Sequence, residues 1–95
     1  MAELAELHGL SITPHFAGSP VGMMACVHVA CTIPNLIAVE FHAVGVPWWD
    51  TLIRGVGKPL IEDGFIQVSD APGLGFELDR EAVAEHVKAG ITTFE

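Results

Sequence analysis

The sequence predicts an α/β chain in which one helix connects two parallel strands. Three observations predict it. Leu10-Ser11-Ile12-Thr13-Pro14 is a short, mostly apolar run that stops at His15, and Leu36-Ile37-Ala38-Val39 is a second that stops at Glu40. Between Gly9 and Val39 there is no Asp, Glu, Lys or Arg. Strands of a parallel sheet are covered on both faces and read as apolar runs rather than alternating ones. A titratable group at the carboxyl end of such a strand stands where α/β barrels carry their chemistry.

The elements follow in order. Residues 2–8 read as the last turns of a helix, with Leu4 and Leu7 on one face and Gly9 as the stop. Residues 10–14 form the first strand and 16–19 a loop of small residues. Residues 20–32 read as a helix, because Pro20 suits a first turn and Val21, Met24, Ala25 and His28 recur at helical spacing. Pro34-Asn35 is a turn and residues 36–39 the second strand. Helix, strand, helix, strand is the rhythm of βα units around a parallel sheet, and two strands alone imply more.

Beyond Glu40 the character changes. Residues 41–47 read as loop and 47–53 as one or two helical turns. Asp63-Gly64 between residues 60–62 and 65–68 marks a β-hairpin. Asp70–Gly75 is a Pro/Gly loop and residues 76–78 a short extended piece. Asp79 caps a helix running to about Lys88, with Glu81 in its first turn and Ala82, Val83, His86 and Val87 on one face; Gly90 ends it.

Composition narrows the function. Hydrophobic residues make up 51% of the 95 residues and charged ones 17%, so part of the surface is built to be covered by protein outside the chain. The net charge of −8, with four scattered basic residues, excludes a nucleic-acid footprint. Pro14, Pro20 and Pro34 cut the uncharged stretch into pieces too short to span a membrane. No basic, apolar leader follows Met1, and Cys26 and Cys31 read as small buried thiols on different helix faces; both point to the cytoplasm. Cys26-x-His28-x-x-Cys31 lacks the paired spacing and fourth ligand of a metal site.

The candidate residues are His15, Glu40, His42 and Trp48. Imidazole titrates near neutrality and can give or take a proton, which is the functional reading of His15; the ordinary alternative is a histidine that caps a strand. Glu40 follows four apolar residues, where a carboxylate is costly unless paired or protonated. One reading is a carboxyl kept neutral to donate a hydrogen bond to an anionic intermediate, and the other an ordinary carboxylate at a rim. His42 points the same way as Glu40 if the extended backbone continues, or else is a loop residue. His28 reads as packed, and His8 and His86 as surface or helix-face residues. Trp48-Trp49 reads as a packing anchor that could also close over a site. Pro72-Gly73-Leu74-Gly75 forces a tight backbone path and is not a dinucleotide fingerprint.

Taken in order, Ile12-Thr13-Pro14-His15, Ala30-Cys31-Thr32-Ile33-Pro34-Asn35, Val39-Glu40, Asp63-Gly64-Phe65-Ile66-Gln67-Val68 and Asp70 through Leu78 resemble the C-terminal region of the enolase superfamily. The branch most similar is the mandelate racemase/muconate lactonizing one, among acid-sugar dehydratases of the galactonate and gluconate type. The resemblance covers nearly the whole chain. It implies a C-terminal fragment of a TIM-type (β/α) barrel: residues 1–46 are the last two strands and the helix between them, and residues 47–95 return to a capping domain. It implies that His15 is the general acid/base at the seventh strand and that Glu40, at the eighth, hydrogen-bonds the substrate carboxylate or its enolate. His42 and Trp48 then lie near the substrate's far end.

The same resemblance implies a Mg²⁺ cofactor held by carboxylates on earlier strands, with no metal ligand in this chain. It also places outside the chain the carboxylate that pairs with the histidine and the base on the opposite face. The implied reaction converts an aldonate to a 2-keto-3-deoxy sugar acid, in a protein that assembles as a homo-oligomer. The isolated chain is expected to be inactive. Racemisation or epimerisation of a 2-hydroxy acid on the same scaffold, and a truncated non-catalytic module, are the alternatives.

Overall fold

The computed structural model describes residues 1–91. Its elements are α1 (Ala2–Leu7), α2 (Pro20–Ala30), a 3₁₀ turn (Trp49–Leu52), β1 (Ile53–Arg54), β2 (Glu77–Leu78) and α3 (Arg80–His86). Gly9, at φ +66°, reverses the chain after α1, a conformation that a residue with a Cβ resists.

The two expected strands meet as expected but make only a parallel bridge, Ile12 to Leu36. Ile12 N–H donates to Asn35 O at 3.0 Å, Ile37 N–H to Ile12 O at 3.0 Å, and Glu40 N–H to Pro14 O at 3.2 Å. The Asn35 side-chain amide also donates to Leu10 O at 2.7 Å and clamps the entry to the pair. Burial on both faces is not observed: Leu10 is 60% exposed and Ile37 72%. Regular strands do not develop at these segments: the pairing is a single bridge, and Leu10 and Ile37 remain open to solvent.

Helix α2 is apolar on most sides. Its buried stripe is Pro20, Met23, Met24, Val27 and Ala30, not the Val21–Met24–Ala25–His28 row that the spacing favours. With so little polar contrast, the residues that arrive later choose the buried face. Those residues are Trp49, Ile53 and Leu60, which join Met23, Met24 and Val27 in one core. The helix ends at Ala30, and Cys31-Thr32 form the closing turn; the thiols are not buried as expected, since Cys31 is exposed in that turn and Cys26 is half-buried. Gly22 lets the Phe16 ring lie against α2, since a Cβ there would meet it at 2.9 Å.

The C-terminal half is built from short pairings. The Asp63-Gly64 turn has φ values of +50° and +83°, the two positive angles of a type I′ hairpin. It supports a single antiparallel pair, Glu62 to Phe65, rather than a full hairpin. Residues 77–78 are extended as expected, and their partner, β1, was not evident from sequence: Ile53 faces Leu78 and Arg54 faces Glu77. The Arg54 guanidinium donates to Glu77 at 3.0 Å across this pair. Asp79 caps α3 by accepting from Ala82 N–H at 3.0 Å, and α3 ends at His86, short of the expected Lys88.

The radius of gyration is 15.2 Å. A self-contained domain of this length has about 12 Å. Leu7, Val44 and Phe65 are each more than three-quarters exposed, which fits a surface built for further cover.

The core carries a direct test. Ile53 is fully buried, so Ile53→Ala removes about 2–4 kcal/mol of unfolding free energy by denaturant titration. Val44→Ala, at 82% exposure, changes it by less than about 0.5 kcal/mol. Equal effects would contradict this placement of the core.

A histidine–carboxylate–histidine cluster

The parallel bridge delivers His15 to Glu40. His15 directly follows Pro14, whose carbonyl accepts from Glu40 N–H, so the two side chains emerge beside each other. His15 Nδ1 lies 2.5 Å from Glu40 Oε2, within hydrogen-bond reach. His42, two residues along the extended backbone, brings Nε2 to 3.2 Å from the same oxygen. The two imidazoles stand 5.4 Å apart at 54°. All three groups reach solvent: the side chains of His15, His42 and Glu40 are 75%, 55% and 39% exposed.

Both ring nitrogens donate to one carboxylate oxygen. The hydrogen bond from His15 holds the Glu40 carboxyl below its ordinary range, helped by the one from His42, and burial opposes this only in part. The structure thus favours an ionised acceptor at Glu40 over the neutral donor that one sequence reading allowed. With Nδ1 donating, the Nε2 lone pair of His15 is left to take a proton.

Trp48 does not join the cluster. Its ring stacks on His86 of α3, with centroids 4.0 Å apart at 28°. It meets His42 only in the lining of a cavity of about 380 Å³, shared with Ser19, Ala43, Val46 and Trp49. The stacking role of His86 was hidden in sequence, because the two rings are brought together only by the 3₁₀ turn and α3. Trp49 is the packing anchor: its indole N–H donates to Gly18 O at 2.7 Å. His28 is packed as expected and reaches Leu74 O at 3.3 Å, tying α2 to the Pro-Gly loop.

The cluster offers one carboxylate and two imidazoles. Mg²⁺ takes oxygen donors and retains waters, so this donor set does not fit it. No helix among the described residues is long and apolar enough to cross a membrane.

A parallel βα pairing with a histidine and a carboxylate at its strand ends defines an α/β protein with acid–base groups on one rim. The chain belongs to the enolase C-terminal domain-like family, which matches residues 1–82. It is 37% identical over its full length to a D-xylonate dehydratase of Haloferax volcanii, of which it covers 23%. It is 33% identical over 94 residues to a D-galactarolactone cycloisomerase of Agrobacterium fabrum, covering 90% of this chain and 24% of that protein. The crystal structure of a mandelate racemase/muconate lactonizing enzyme-like protein from Rubrobacter xylanophilus superposes with a TM-score of 0.88 at 41% identity, covering 96% of this chain and 23% of that one. The chain therefore spans about a quarter of the length of the relatives it matches.

The carboxylate tests the cluster. His15→Ala removes the principal donor, so the Glu40 carboxyl titrates at higher pH than in the parent, read by NMR of ¹³C-labelled glutamate. An unchanged titration would remove His15 as the cause. A lowered folded-state value stabilises the fold above the ordinary carboxylate range, and that small contribution is lost as pH falls through the lowered value.

Proposed function

We propose that the chain is the C-terminal part of a Mg²⁺-dependent acid-sugar dehydratase. On this reading residues 1–46 close a β/α barrel and residues 47–95 return to a capping domain. The observation that carries it is the His15–Glu40 pair on parallel-bridged segments of a chain from this family. The short span relative to its relatives and the exposed apolar surface support a longer polypeptide. So does a large apolar groove lined by Val27, Ile37, Val39, Phe65, Ile66 and Val68, which suits further barrel elements. The free thiols of Cys26 and Cys31 support the cytoplasm, and the exposed surface leaves room for assembly as a homo-oligomer.

The chemistry is a β-elimination. A base outside this chain takes the proton α to the carboxylate of an aldonate, leaving an enolate. His15, as the imidazolium, gives a proton to the departing β-hydroxyl, which leaves as water. The enol then tautomerises to the 2-keto-3-deoxy acid. Glu40 holds the His15 ring through Nδ1–H, so that Nε2 faces the reacting oxygen. Mg²⁺ belongs to residues outside this chain. His42 and Trp48 line the cavity beside the dyad, where the far end of a sugar acid would lie.

A second reading has its own support, because the structural relatives carry racemase and lactonizing names. The same dyad facing a base across the substrate would invert an α-carbon instead of eliminating water.

In the longer polypeptide His15→Asn lowers formation of 2-keto-3-deoxy acid from aldonates by about 10²–10⁴-fold and leaves a measurable residue, and normal turnover by that variant would remove His15 from its role. α-Proton exchange in D₂O without dehydration would favour the racemase reading. The isolated 95-residue chain shows no turnover with Mg²⁺ and an aldonate, and measurable turnover would refute its dependence on missing groups.

A further inference from the structure

We propose that His15, Glu40 and His42 form a binding site for a borderline first-row divalent cation, of which Zn²⁺ is the best fit. Each offers one ligand atom, and these atoms lie within 4.8 Å of one another. Zn²⁺ binds imidazole nitrogen and carboxylate oxygen at about 2.0–2.2 Å, so ligands on one ion stand roughly 3–4 Å apart. The His42–Glu40 separation of 3.2 Å already falls in that range. The His15–Glu40 separation of 2.5 Å must open by roughly 1 Å. The His15 side chain is 75% exposed and has room to swing.

The donors come from two chain segments held in register. Glu40 and His42 are two residues apart and project to one side, as the contact of His42 Nε2 with Glu40 Oε2 shows. His15 is fixed beside them by the Glu40 N–H to Pro14 O bond. Two imidazoles and a carboxylate suit Zn²⁺, Co²⁺ or Ni²⁺ far better than Mg²⁺. Each imidazole would turn a lone pair to the ion and keep its proton on the other nitrogen. Three protein ligands leave a fourth position for water or a substrate oxygen.

The site does not depend on the dehydratase reading, but its consequence does. An ion here occupies both His15 and Glu40, so it would inhibit the acid–base chemistry proposed above while Mg²⁺ supports it elsewhere.

Protein stripped with chelator is titrated with Co²⁺ and followed by its visible absorption, then challenged with Zn²⁺ and with a large excess of Mg²⁺. One equivalent of Co²⁺ binds, Zn²⁺ displaces it and Mg²⁺ does not. The spectrum carries no thiolate charge-transfer band, which ligation by Cys26 or Cys31 would add. Glu40→Gln and His42→Ala each weaken binding at least tenfold, roughly the loss of one ligand, while His8→Ala leaves it unchanged. All three substituted side chains are solvent-exposed or half-exposed, and circular dichroism verifies their folding. Absence of the Co²⁺ bands, a thiolate band, or undiminished affinity in Glu40→Gln and His42→Ala overturns the proposal. Co²⁺ binding persists if the protein fails to dehydrate any aldonate, so the two readings fail separately.

Discussion

The parallel pairing between residues 12–14 and 35–40 is the constraint on which the candidate site rests. Side chains on extended backbone alternate between faces, so a slip of one residue would turn His15 away from Glu40. Three backbone hydrogen bonds hold the register, and the Asn35 amide fixes where it begins. The connection between the paired segments runs through α2, whose buried stripe packs into the core. Glu40 then becomes the acceptor for two imidazoles, and its ionised state follows from that position.

The C-terminal half matters to the site through packing. Trp49 sits in the core beneath the loop that follows Glu40, with its indole bonded to Gly18 in the loop that follows His15. One side chain therefore ties together the two loops that border the cluster. Phe41 packs edge-on to the same indole at 5.1 Å. Farther along, Gly73 and Gly75 take positive φ, which turns the chain tightly enough for Leu74 O to meet His28 on α2. Arg54 and Glu77 close the antiparallel pair that carries the chain into α3, where His86 meets Trp48.

Features encoded by local chemistry were legible in the sequence. Pro20 and Asp79 mark helix starts, Asp63-Gly64 marks its turn, and Gly9 marks a helix end. His15 and Glu40 stood out because each ends an apolar run. Features set by long-range packing were not legible. The buried face of α2 is not the one its spacing favours, because an all-apolar helix carries no contrast to read. The β1–β2 pair escaped notice because two-residue strands have no periodicity. The two apolar runs pair only through a parallel bridge, with Leu10 and Ile37 exposed, and nothing in their own residues announces that. The sharing of Glu40 by two histidines needed the register itself. The family resemblance, by contrast, was readable from the ordered motifs, and the family match over residues 1–82 bears it out.

The central claim is that His15 and Glu40 act as one unit. A double-mutant cycle on kcat/KM in the longer polypeptide proposed above tests it most directly, with His15→Asn, Glu40→Gln and the double variant. Groups that work as a unit lose little more together than the more damaging change alone. The account predicts that the double variant is no slower than the slower single variant, within about threefold. Losses that multiply, each residue contributing as if the other were absent, would contradict it.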